Sequence, residues 1–156
     1  MKKFIIILAL LLSTYNIVFA QSTPKDALTF YKDYINAANT YSSTVITYFS
    51  PSARIIRQVL KKDGTIVTRE TNTARYISEM KKGQVIARLR KYKNYYTNLQ
   101  VKQVGNDTYK ITSYRQPSGE SYKLKNYVVV QKQPNGRWYI IEEMMQSKVQ
   151  LLINAQ

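Results

Sequence analysis

The chain has 156 residues, 44% hydrophobic and 21% charged, with 24 basic residues against 9 acidic ones and a formal charge of +15. That length suits one domain with its own core, and the composition is neither that of a disordered chain nor that of a collagen-like one. Cysteine and histidine are both absent, which excludes disulfides, thiolate nucleophiles, the Ser-His-Asp triad and the common zinc ligand sets.

The first twenty residues read as a secretory signal peptide. Lys2 and Lys3 precede an apolar run over 4–12, and Val18 and Ala20 occupy the −3 and −1 positions of a cleavage site. The run falls short of the roughly 20 apolar residues that span a bilayer, and a lipoprotein anchor would need a cysteine. The expected layout is a signal peptide over 1–20 and a single domain over 21–156, exported to the periplasm or the extracellular space. Cleavage leaves 22 basic and 9 acidic residues, a formal charge of +13. Such a field favours anionic partners, namely lipid head groups or an acidic protein, and export disfavours nucleic acid.

Pro24 after Thr23, with Asp26 in the first turn, opens a helix over 24–40. Ala27, Phe30 or Tyr31, Tyr34, Ala38 and Tyr41 recur along it at helical spacing. Residues 44–49 add one or two further turns, ended by Ser50 and Pro51. A β-branched stretch over 53–60, the turn Lys61-Lys62-Asp63-Gly64 and a return over 65–70 make a hairpin. A second helix follows over 72–83, with Ala74, Ile77 and Met80 on one face and Gly83 at its C-terminal cap. Residues 85–89 fit either helical or strand period. Four strands over 92–104, 108–116, 121–133 and 137–147, separated by Gly-, Asn- and Pro-containing turns, form an antiparallel meander. In the third, Tyr122, Leu124, Asn126 and Val128 share one side.

This order of helix, short helix, hairpin, helix and meander resembles the nuclear transport factor 2-like superfamily, which includes SnoaL-like and ketosteroid isomerase-like proteins. Two local features carry the resemblance: Tyr48-Phe49-Ser50-Pro51-Ser52-Ala53-Arg54-Ile55, similar to the family's aromatic-loop-Ala passage into its first strand, and Gly136-Arg137-Trp138-Tyr139-Ile140, similar to its Gly-x-Trp-x-Ile opening of the last strand. The resemblance implies an α+β fold in which a strongly curved antiparallel sheet wraps around helices and leaves a conical pocket. The expected pocket residues are Tyr31, Tyr34, Tyr41, Arg57, Tyr122, Val128, Trp138, Ile140 and Glu142.

Isomerase-type members use a carboxylate base in the first strand, a tyrosine on the first helix and a protonated acid on a late strand. Carried over, the base position falls near Arg57 and the late acid near Val128, and only Tyr31 or Tyr34 survives. A guanidinium takes no proton at neutral pH and valine donates none. Strict strand alternation places one of Glu142 and Glu143 toward the interior, so these two, with Tyr34, are the weak catalytic candidates. No metal site or cofactor is implied. Lys81, Lys82, Arg88, Arg90, Lys91 and Lys93 form a basic patch interleaved with Tyr92, Tyr95 and Tyr96.

The expected function is therefore an exported, non-catalytic protein holding an apolar or amphipathic, anionic ligand. The alternatives are an interaction or homodimerisation module for an acidic partner, and an isomerase- or dehydratase-like enzyme using Glu142 or Glu143.

Overall fold

A computed structural model describes residues 21–148, so the expected signal peptide over 1–20 lies outside the described residues. Ser22 is buried and anchors the start of the domain: its backbone N–H donates to Asp107 Oδ1 at 2.9 Å, and its carbonyl accepts from the Tyr109 hydroxyl. Helix α1 (Pro24–Asn39) begins with a capping box, in which the Thr23 hydroxyl accepts from the Asp26 N–H while the Asp26 carboxylate accepts from the Thr23 N–H. Ala27, Tyr31, Tyr34 and Ala37 form its buried face.

A 3₁₀ helix, Ser43–Tyr48, leads into strand β1 (Phe49–Leu60). This strand begins four residues before its sequence-based expectation. Pro51 is accommodated because the ladder with the neighbouring strand is interrupted between Phe49 and Arg54, so its missing N–H costs no sheet hydrogen bond. Strand β2 (Ile66–Asn72) returns antiparallel to β1.

Helix α2 (Thr73–Leu89) runs well past Gly83, where the sequence suggested its end. Val85 to Leu89 continue the helix, and the stop comes at Lys91, in the left-handed region at φ 51°. There the Tyr92 N–H reaches the Ala87 carbonyl and the Lys91 N–H reaches that of Arg88, a Schellman closure with lysine in the position glycine usually takes.

Strands β3 (Asn94–Gly105), β4 (Thr108–Pro117), β5 (Leu124–Lys132) and β6 (Trp138–Ser147) form the meander. The six strands make one curved, unclosed sheet in the order β2-β1-β6-β5-β4-β3. All neighbours are antiparallel except β1 and β6, which pair in parallel, so the sheet is mixed. Two of its four register shifts matter most here. One lies in β3 between Thr97 and Gln100, where Asn98 has φ 54°, and the other in β6, where Ile141 is an extra residue opposite Val129 and Val130. α1 lies against the concave face over Tyr109, Ile111, Val128, Val130 and Ile140, all at most 1% exposed. α2 packs on β1 and β2 beside the 3₁₀ helix.

Candidate binding site

A cavity of about 300 Å³ lies between the second half of α1, the 3₁₀ helix, α2 and the strands β1, β3, β4 and β6. A larger hollow of about 640 Å³ near Ser50, Asn135 and Tyr139 is a polar depression on the surface. Only the smaller one is walled by buried charged side chains and phenols, and it is the candidate site. Its apolar wall includes Val45, Ile46, Met80 and Met145. Its phenols come from Tyr34, Tyr41, Tyr76, Tyr92 and Tyr96, and its buried cations are Arg57 and Arg115.

Arg57 is held by a carboxylate behind the wall. Its Nη2 lies 2.6 Å from Glu143 Oε1, with the glutamate side chain 1% exposed and the arginine 14%. Tyr76 also donates to Oε1, at 3.3 Å, and Tyr34 donates to Oε2 at 3.0 Å. Both carboxylate oxygens are thus occupied. Burial first, and then the adjacent carboxylate, push the Tyr34 and Tyr76 phenols well above the ordinary tyrosine value, so both stay protonated donors. Burial works against charge on Arg57, but the Tyr76 ring face, 4.6 Å from the guanidinium, and the Glu143 carboxylate favour the cation, and the guanidinium stays charged.

Arg115 differs. It is 4% exposed, and its partners are neutral: Asn94 Oδ1 at 2.7 Å, the Tyr92 hydroxyl at 3.3 Å and the Gln146 carbonyl at 2.7 Å. Its Nε has no partner, and no carboxylate among the described residues forms an ion pair with it. Asn94 is itself fixed by a two-way bond with Asn39, whose Oδ1 accepts from the Asn94 N–H at 2.9 Å and whose Nδ2 donates to the Asn94 carbonyl at 2.8 Å. Tyr41 closes α1 in the left-handed region at φ 58°, an unusual conformation for a bulky residue, and its buried hydroxyl has no partner.

Three expected pocket residues, Tyr34, Tyr41 and Arg57, line the cavity. Tyr31 sits behind it, accepting from Asn126 Nδ2 at 2.8 Å. The others do not line it. Val128 and Ile140 are used up as fully buried core. Trp138 stacks on Phe30, on the first half of α1. Tyr122 is covered by the Lys148 ammonium, 4.3 Å from its ring centre. Glu142 faces outward, paired with Arg54 and accepting from Tyr127 at 2.7 Å. The extra residue Ile141 is the reason: it resets the alternation so that Ile140 and Glu143, not Ile140 and Glu142, point inward.

Of the basic patch, Lys81 lines the cavity and Arg88 donates to the Tyr41 carbonyl, while Lys82, Arg90, Lys91 and Lys93 are exposed. Sequence reasoning missed Tyr76, Asn94 and Arg115. For Arg115 a signal existed, because Tyr109, Ile111, Ser113 and Arg115 alternate on one face of β4 and all are buried.

No family model matches the chain, and no curated protein matches it. Solved structures match in shape. An NTF-2-like protein of unknown function from Shewanella oneidensis MR-1 superposes with TM-score 0.60 at 12% identity, covering 80% of this chain and 100% of that one. A ketosteroid isomerase-like protein from Shewanella frigidimarina NCIMB 400 gives TM-score 0.54 at 18% identity, over 74% and 90% of the two chains. A scytalone dehydratase-like protein from Novosphingobium aromaticivorans DSM 12444 gives 0.57 at 11% identity, over 77% and 80%. These likenesses establish a nuclear transport factor 2-like fold, as the motifs around Phe49 and Trp138 implied. At such identities they carry the fold and no activity.

Proposed function

We propose that this chain uses its nuclear transport factor 2-like fold to bind, without chemical turnover, a small amphipathic anion. One observation carries the reading: Arg115, a buried arginine in the cavity wall, has only neutral partners. A desolvated charge without a counter-charge is costly, and a ligand carboxylate would offset that cost. The unpartnered Tyr41 hydroxyl is a second donor in the same wall, and Val45, Ile46, Met80 and Met145 offer an apolar surface for the rest of the molecule.

The arrangement argues against general-base catalysis. The inward carboxylate, Glu143, is not a lining residue, and its oxygens are taken by Arg57, Tyr34 and Tyr76. A base must reach the proton it removes. By the family resemblance, the isomerase base and acid positions fall near Arg57 and Val128, and neither side chain is an acid.

Calorimetric titration with octanoate and with 1-octanol tests the reading. The two probes share a tail and differ in charge. The carboxylate is expected to bind at least about tenfold more tightly, in keeping with a charged hydrogen bond at a desolvated site. Equal binding of the two, or none of either, would contradict it.

A further inference from the structure

Helix α2 is apolar on two sides. Tyr76, Met80 and Ala87 face the cavity, while Val85, Ile86 and Leu89, at i, i+1 and i+4 on the opposite side, are 64%, 55% and 79% exposed. A helix of a globular domain normally turns one apolar stripe to its core and a polar one to water, so the second stripe is unaccounted for by the fold. Tyr92 and Tyr95, both exposed, follow at the same end.

The surroundings of the stripe are strongly cationic. Between Glu79 and Asp107 the chain carries seven basic residues and no acidic one. Lys82, Arg90, Lys91 and Lys93 are exposed, and among the described residues none of them pairs with a carboxylate. Projecting aliphatic side chains ringed by lysine and arginine, with tyrosines beside them, match the chemistry of an anionic lipid surface: a negative head-group layer over an oily interior. The stripe projects from the outer side of a helix. A fluid bilayer can envelop protruding residues without a matching groove, whereas an acidic protein would need a shaped apolar pocket beneath its charges. Among the described residues no helix is long and apolar enough to cross a membrane.

We propose that the C-terminal half of α2, through Val85, Ile86 and Leu89 with Lys82, Arg90, Lys91 and Lys93, docks the domain on the surface of anionic lipid membranes. Docking of this kind places the stripe at the boundary between head groups and acyl chains, with the cations at head-group level.

Because the chain has no cysteine, a single Ile86→Cys substitution takes an environment-sensitive fluorophore at one place only, and Lys62→Cys in the exposed β1–β2 turn provides a control. The full chain is mixed with vesicles of phosphatidylcholine alone or of phosphatidylcholine with phosphatidylglycerol. The label at 86 is expected to shift to the blue on the mixed vesicles only, the label at 62 to stay unchanged, and added salt to weaken the response. Adding Lys82→Gln, Arg90→Gln and Lys93→Gln is expected to weaken apparent affinity by roughly fivefold per cation removed. Retention of folded-state circular dichroism checks each variant.

No shift at 86, an equal shift at both positions, or an equal response to the two vesicle types would overturn the proposal. A shift at 86 with polyglutamate but not with vesicles would assign the patch to an acidic polypeptide and overturn it as well. The readout is a label on the outer side of α2, so it stands or falls independently of octanoate binding in the cavity.

Discussion

Glu143 and Arg57 show how one buried pair can serve a structural role at the edge of a candidate cavity. The glutamate accepts from three side chains on three elements, α1, β1 and α2, and so ties both helices to the sheet. Removing its charge leaves the Arg57 guanidinium buried and uncompensated. Glu143→Gln is therefore expected to lower unfolding free energy in urea by about 3 kcal/mol, and the Arg57→Met, Glu143→Gln double variant to lose less than the sum of the two single losses. Additive losses would show that the pair is not coupled. Arg115 has the converse character: its polar contacts orient it, and none of them neutralises it. The contrast was partly legible beforehand. That one of Glu142 and Glu143 turns inward follows from strand alternation. Which glutamate turns in could not be read, because a one-residue bulge leaves no mark in a run as uniform as Tyr139-Ile140-Ile141-Glu142-Glu143.

At the level of elements, helices and turns were legible where local chemistry fixes them. Thr23, Pro24 and Asp26 specify the start of α1, and Gly64, Gly119 and Gly136, all at positive φ, mark turns. Gly83 misled for a physical reason. Glycine is the usual helix cap, yet here it sits inside α2 with ordinary helical backbone and nothing within 4 Å of where a Cβ would stand. It therefore weakens the helix without doing the work of a cap. Gly83→Ala is expected to raise stability by about 1 kcal/mol, seen as a higher urea midpoint at unchanged slope. A loss of stability would mean that the helix does not run through this position. The parallel contact between β1 and β6 was not legible, since pairing of strands some ninety residues apart depends on how the sheet closes around α1 and not on either strand's own pattern.

Across the whole molecule, the order of elements and the two aromatic motifs were enough to give the fold, because a hairpin, a meander and two helices with apolar faces have few ways to cover one another. The cavity was less legible. Its wall draws on seven elements, and the aromatic residues expected there divide between lining it, filling the core and lying outside. Basic residues outnumber acidic ones 24 to 9, and export, which is the expectation drawn from Lys2 to Ala20, would present that cationic surface to an envelope rich in anions. Mass analysis of the protein recovered from its native host is expected to show a mature chain beginning at Gln21, and an intact N-terminus would contradict export by cleavage.

The central claim is that the buried cation in the cavity wall awaits an anion. A crystal structure of the octanoate complex tests this most directly: the carboxylate is expected within hydrogen-bond distance of Arg115 or the Tyr41 hydroxyl, with the tail along Val45, Ile46 and Met80. An empty cavity at saturating octanoate, or a carboxylate seated elsewhere, would contradict it.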